Sequence, residues 1–316
     1  MWAETAGFRF AYPLEIDDAA GPKESLHYYI YSDSLVPEVL KLDSAGVAQC
    51  RYPTTGPVYR PGYVAWYGLV HLGHYLRRGD QIDLQIFMKQ LDWLEQNAVV
   101  RDDGALVWPY EFDWKDGGTL WKAPWVSAYG HGLAVSALVR GWRVTQRPSL
   151  SEALKRAGNI FTISVDHGGL KEVVNGHVRY TERHGTAILD HFLIALLGLY
   201  DLFAETGDPA VERLFRQGIE GLKDMLPTWD YRQKWSWYGS HNYLGPPAYN
   251  CQHRLLLKVL GRLSREPIFA RYADSWNPDR MSVSSRLEVF LVFLYTKNAA
   301  RVKNRTWRQK RMKARQ

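Results

Sequence analysis

Residues 188–226, ILDHFLIALLGLYDLFAETGDPAVERLFRQGIEGLKDML, read as two helices of different character joined at a turn. The first half is apolar along most of its length at helical spacing and runs out in the polar, Gly-containing turn AETGD; this is the pattern of a helix enclosed by its neighbours. The second half opens on Asp208-Pro209, a cap followed by proline in the first turn, and is more polar, as an outward-facing amphipathic helix should be.

The same unit recurs. YVAWYGLVHLGHYLRRGD from Tyr63, SAYGHGLAVSALVRGWRVTQRP from Ser127 and AYNCQHRLLLKVLGRLSREP from Ala248 are apolar stretches of the same kind, each followed by a more polar helix. Starts at 63, 127, 188 and 248 lie 64, 61 and 60 residues apart, a regular supersecondary period. Apolar inner helices paired with amphipathic outer ones predict a mainly α chain: an α/α toroid, an incomplete barrel of about four helix pairs. Two β-hairpin inserts are expected, GALVWPYEFDW at 104–114 and GGLKEVVNGHVRYTE at 168–182, the second turning at Asn175-Gly176. The expected organisation is an irregular or β segment over 1–60, the toroid over 61–280, and a C-terminal helix and basic tail over 281–316. In a toroid, loops at one end and the first turns of the inner helices meet at a central cavity. The hairpin at 168–182 feeds the third inner helix and the loop around Tyr238 feeds the fourth, so both are expected at one cleft.

Composition narrows the partners. The formal charge is +7, but residues 301–316, RVKNRTWRQKRMKARQ, hold eight Lys or Arg and no acid, which leaves the remainder at −1. Basicity is thus a property of the tail, which reads as a solvated extension or as a peripheral contact with a membrane surface, and no nucleic-acid motif accompanies it. Cys50 and Cys251 stand far apart without metal or disulfide spacing. The N-terminus lacks a basic region followed by an apolar run, and VFLVFLY at 289–295 is too short to span a bilayer. Together these predict a soluble protein of a reducing compartment, the cytoplasm, membrane-associated at most through its tail. The 13 Trp and 19 Tyr fill cores and also stack on the apolar faces of sugar rings; aromatic-rich exposed segments would suit a homodimer.

Several blocks together resemble the C-terminal catalytic domain of the D-glucuronyl C5-epimerases, which convert glucuronate to iduronate within heparosan-type polysaccharide. They are LWKAPWVSAYGHGLAVSALVRGW, LLGLYDL with AETGDPAVERLFRQGIEGLKDMLP, WSWYG, and YNCQH before RLLL, and they span about Tyr52 to Trp276 in the family's order. The resemblance implies proton transfer by tyrosines: Tyr238 falls on the tyrosine of the second family motif and Tyr249 on that of the third, which His253 closes. The first motif is altered. In YTERHGT, Glu182 matches its second acid, Arg183 stands where the tyrosine would be, and Tyr180 is the nearest alternative; Ser240 replaces the arginine that follows the second tyrosine.

The chemistry sets its own demands. Removing a proton beside a carboxylate adds charge to an anion, so cationic or hydrogen-bonding groups must take it up. Inversion needs a base on one face of the ring and an acid on the other. A tyrosine titrating near 10 needs neighbouring positive charge to serve as base. Tyr238, Tyr249, Glu182 and Arg183 are therefore the expected catalytic set, Arg183 as a two-point clamp on the sugar carboxylate. His184, His241, Asn242, His253, Trp125, Tyr129, His131 and Tyr180 are the expected substrate contacts, with an acidic polysaccharide as substrate and no cofactor. His71 and His74 read HLGH rather than HExxH, with no acids at ligand spacing, so no catalytic metal is expected, and a structural cation stays open. Two other outcomes stay open: β-elimination from the same intermediate, which would make a uronate lyase, and non-catalytic binding of an acidic glycan. A glycoside hydrolase would need a carboxyl pair from among Glu182, Asp190, Glu111 and Asp113, and none is singled out.

Overall fold

The computed structural model describes residues 10, 12–21, 24–31, 40–52, 55–116, 119–185, 187–239 and 243–313. Four helical hairpins form its body: α1 (Pro61–Arg78) with α2 (Gln81–Gln96), α3 (Ala128–Thr145) with α4 (Pro148–Ala157), α5 (Leu189–Thr206) with α6 (Pro209–Met225), and α7 (Pro247–Ser264) with α8 (Pro267–Ser275). Each inner helix also packs against the next, α1 on α3, α3 on α5 and α5 on α7. This is the expected open ring of inner helices within a ring of outer ones.

Residue chemistry explains the division of labour. In α5 every residue from Phe192 to Leu199 is buried, so no face is left for water. Its partner α6 buries one stripe, Val211, Leu214, Phe215, Gly218, Ile219, Gly221, Leu222 and Met225, and turns its charged residues outward. Burying one such side chain is worth roughly 1.5–3 kcal/mol. Asp208 caps α6 by accepting the Ala210 N–H, a contact worth about 1 kcal/mol, and Pro209 sits where its missing N–H costs nothing.

The N-terminal region is built of short strands. β1 (Glu15–Ile16) pairs with β2 (Ile30–Tyr31), and β3 (Leu40–Leu42), β4 (Ala48–Tyr52) and β5 (Gly56–Val58) form an antiparallel sheet. Leu14, Tyr28, Ile30, Val47 and Ala48 share one core with the helices. Residues 25–29 cross the C-terminal halves of α3 and α5: Arg140 donates to the Leu26 and His27 carbonyls, and Tyr29 donates to Asp201, which is paired with Arg140 at 2.8 Å. These contacts tie the segment to that end of α3 and α5.

The inserts differ from expectation in one place. β10 (Lys171–Val174) and β11 (His177–Tyr180) form the hairpin expected at 168–182, with Asn175 and Gly176 both at positive φ, 49° and 86°. The stretch 104–114 is not one hairpin. Gly104, at φ 78°, is instead the turn between β6 (Val99–Val100) and β7 (Leu106–Val107), with Arg101 N–H bonded to the Ala105 carbonyl. A separate hairpin follows, β8 (Trp114–Asp116) with β9 (Thr119–Trp121). Pro109, which has no N–H to offer a ladder, stands between them. β12 (Asp230–Tyr231) and β13 (Trp235–Ser236) precede α7. The chain leaves the ring through α9 (Val283–Lys313), whose Val289 and Phe293 form a small separate core with Trp235 and Leu244. No described helix is long and apolar enough to cross a membrane.

Candidate active site

The four inner helices begin at one end of the ring, and each carries a polar ring or carboxylate in its first turn: Tyr63, Tyr129, Asp190 and Tyr249. They lie close enough to act on one another electrically. Burial pushes the Tyr129 and Tyr249 hydroxyls well above the usual tyrosine value, and the proximity of Tyr63 and of the Asp190 carboxylate adds to both. Tyr63 is raised by burial and by Asp190 and drawn back by Arg60. At neutral pH these phenols hold their protons.

Arg60 caps the entrance to α1. Its guanidinium lies 4.9 Å from the Tyr63 ring centre, 5.0 Å from Trp114 and 5.8 Å from Tyr110. It donates to the Tyr52 hydroxyl at 2.8 Å, while its buried Nε has no hydrogen-bond partner. Among the described residues no carboxylate is paired with it. Tyr110, stacked on Trp125 at 4.1 Å, accepts the Gly62 N–H and continues the aromatic wall.

Asp190 is 2% exposed, and its Oδ1 has no hydrogen-bond partner among the described residues. The fully buried His253 stands beside it, with Nε2 3.8 Å from Oδ1. Asn250 donates to Ser236 Oγ at 3.2 Å, and Ser236 Oγ lies 2.8 Å from His253 Nδ1. With its oxygen already accepting from Asn250, the serine is best used as donor to Nδ1, which leaves the histidine N–H on Nε2, facing Asp190.

The two loops do meet at this end. Leu189 N–H donates to the Tyr238 carbonyl at 3.2 Å, joining the segment after β11 to the loop before α7. Tyr238 stacks on Tyr243 with 13° between planes and meets Tyr249 edge-on at 4.9 Å. Glu182 is buried. Its Oε1 accepts from Ser127 Oγ and the Ala128 N–H at the start of α3, and lies 2.6 Å from His191 Nδ1, while Oε2 has no hydrogen-bond partner. Burial alone would raise this carboxyl; the charge and hydrogen bond of His191 and the Ser127 donor hold it below the usual glutamate range. His191 in turn sits 5.3 Å from the Tyr129 ring.

Other expected contacts fall elsewhere. Tyr180 is a core residue: fully buried, it donates to the Leu214 carbonyl and packs on Phe161 and Phe192, so it does not replace the missing first tyrosine. His131 is likewise core, wedged between Trp108 and Phe161 with Nε2 on the Ala157 carbonyl, because it points from the inner helix toward α4 rather than into the cavity. Arg183 is exposed and braces its loop on the Leu120 carbonyl at 2.9 Å. His184 bridges Glu172 and Asp166, and those two bonds raise its pKa. His241 and Asn242 lie outside the described residues. Reading motif by motif missed Arg60, Tyr63 and Asp190 as partners of Tyr249. The repeat itself held the signal, since all but Arg60 lie in the first turn of an inner helix, at its second or third residue.

Comparison with known proteins adds the following. The sequence profile of the family described as D-glucuronyl C5-epimerase C-terminus matches residues 101–278. A D-glucuronyl C5-epimerase of Caenorhabditis elegans is 25% identical over 60% of this chain, which spans only 34% of that relative's length. An uncharacterized protein of Methanocaldococcus jannaschii is 22% identical over 64% of this chain and 67% of its own. Among solved structures, a GH76 alpha-mannanase of Bacteroides thetaiotaomicron aligns with 75% of this chain and 63% of that one, at 10% identity and a TM-score of 0.49.

Proposed function

The chain belongs to the D-glucuronyl C5-epimerase C-terminus family, and from that premise we propose that it is a polysaccharide uronate C5-epimerase, an isomerase converting D-glucuronate to L-iduronate residues in a heparosan-like acidic polymer. The observation that carries this reading is a cation without a carboxylate partner and a carboxylate oxygen without a hydrogen bond at one tyrosine-lined end of the ring. Arg60 has no carboxylate partner among the described residues, and the buried Asp190 Oδ1 accepts no hydrogen bond.

These are the parts that C5 inversion requires. Breaking the C5–H bond sends its electron pair into the adjacent carboxylate, which becomes an enediolate with an added negative charge. Arg60 is the cation available to hold that group, and its planar donors suit a carboxylate. Asp190 takes the proton. Tyr249, whose hydroxyl keeps its proton because of burial and neighbouring Tyr63 and Asp190, returns one to the carbon. Asp190 belongs to α5 and Tyr249 to α7, and in this reading they act on opposite faces of the bound ring. Tyr238 supports Tyr249 edge-on, and the Glu182–His191 pair orients Tyr129. His253, behind Asp190, is placed to pass a proton to or from it.

The test is incubation with unsulfated glucuronate polymer in deuterated water, followed by NMR. Deuterium at C5 together with iduronate signals is the expected result. An unsaturated chain end would mean that the intermediate expels its C4 substituent and that the protein is a lyase. Binding without exchange, elimination or inversion would make it a glycan-binding protein.

A further inference from the structure

At the opposite end of α1 from the cleft, two histidines that looked unaccompanied in the sequence gain an acid. His71 and His74 are one turn apart on α1, and the reversal at 79–80 brings Asp83, in the first turn of α2, over them. The three side chains are 14%, 11% and 13% exposed. One ligand atom from each lies within 4.8 Å of the others. His71 Nδ1 is 2.5 Å from Asp83 Oδ1, and His74 Nδ1 is 3.7 Å from the same oxygen. We propose that His71, His74 and Asp83 form a zinc site that clips α1 to α2.

The donor set selects the metal. Two imidazoles and one carboxylate are borderline ligands that suit zinc, whereas calcium and magnesium favour all-oxygen shells. Zinc bonds to nitrogen and oxygen of about 2.0–2.2 Å in a tetrahedron place ligand atoms roughly 3.3–3.5 Å apart. The two measured separations straddle that range, so small side-chain rotations bring all three onto one ion. Tyr67, edge-on to His71 at 4.4 Å, walls one side of the cluster. At a rise of 1.5 Å per residue, His71 lies about 12 Å along the helix from Tyr63, so the ion would be structural and would not enter the cleft.

The experiment uses the full chain without a metal-binding tag, stripped with chelator. Titration with Zn2+ alone by calorimetry should give one site per chain, and Co2+ should give the intense visible absorption of tetrahedral coordination. Asp83→Asn and His71→Ala should each weaken Zn2+ binding by more than about tenfold, the loss that even outer-shell changes cause. His177→Ala, which breaks an exposed histidine–aspartate pair, should leave it unchanged. Thermal unfolding should shift upward with Zn2+ in the wild type and in His177→Ala, and not in the two site variants. Absence of stoichiometric binding and of the Co2+ spectrum would show that the cluster is a hydrogen-bonded pair with a neighbour, and binding that survives both variants would put the metal elsewhere. Asp83→Asn keeps the size and shape of the side chain, and the wild-type Co2+ spectrum needs no variant at all.

Discussion

Three residues decide between chemical roles, and a fourth tests burial. If Asp190 is the base, Asp190→Asn should lower the rate of C5 exchange by about 10²–10⁴, the usual contribution of a positioned acid or base, with the far-UV CD spectrum unchanged. Should that variant retain exchange while Tyr238→Phe abolishes it, the proton would instead pass between Tyr238 and Tyr249. Arg60→Gln should depress kcat as well as raise KM, because the charge it meets grows toward the transition state. His131 makes a different prediction. Burial lowers its pKa from an ordinary 6.5 to about 4, so as pH falls below 6.5 the unfolded chain binds a proton that the folded chain refuses. Its contribution is complete above pH 6.5 and is lost progressively down to about 4, on the order of 3 kcal/mol. Denaturant titrations of wild type and His131→Gln from pH 7 to 4.5 should converge toward acid, the variant gaining relative to wild type; parallel curves would contradict the burial account. What was legible at this scale followed from motif position: Tyr238, Tyr249 and His253 stand together. Tyr180 and His131 misled because a polar residue within an apolar run has the same sequence signature whether it faces the cavity or the next helix.

At the scale of elements, the closest helix pair, α3 with α5, is set by two glycines. A Cβ on Gly198 would come within 2.6 Å of Gly132 Cα, and one on Gly132 within 2.4 Å of the Ile194 carbonyl oxygen. Both obstacles are backbone, which has nowhere to move without parting the helices. Glycine inside a helix otherwise costs roughly 0.5–1 kcal/mol relative to alanine, so the sign of Gly198→Ala is informative. The variant should be destabilised by about 1–3 kcal/mol or more, seen as a lower urea midpoint at constant m-value; a more stable variant would show that the contact yields easily. The helix pairs were readable because an apolar run with polar turns every 60 or so residues survives without any knowledge of packing. The strands between them were not. Gly104 signals a turn, but whether a turn opens a hairpin or forms its tip depends on partners such as Val99 and Val107, which lie on either side of it.

For the whole molecule, the unequal placement of charge makes the last prediction. Eight basic residues lie in 301–316, against a remainder of −1, and the segment begins on α9, beyond the ring. Along the preceding turns of that helix Val283, Leu287, Leu291 and Tyr295 are exposed, 84%, 57%, 54% and 76%, at four-residue intervals that keep them along one slowly turning stripe. An apolar stripe running into a basic segment is the pattern of a helix that lies on an anionic lipid surface. Each Lys or Arg near such a surface contributes about 1 kcal/mol, and the attraction fades within a Debye length, about 10 Å at 0.1 M salt. The full chain should therefore sediment with vesicles containing anionic lipid at low salt and be released at high salt, while neutral vesicles leave it in solution. Removing 301–316 should abolish the binding with thermal unfolding unchanged, since the principal core is built from residues between Leu14 and Trp276. Truncated protein that still binds would move the contact to another face. A truncation that instead weakens binding of the acidic polymer, with no vesicle binding by either form, would make the tail an electrostatic guide for substrate, recognisable by a KM that rises with ionic strength only in the full chain.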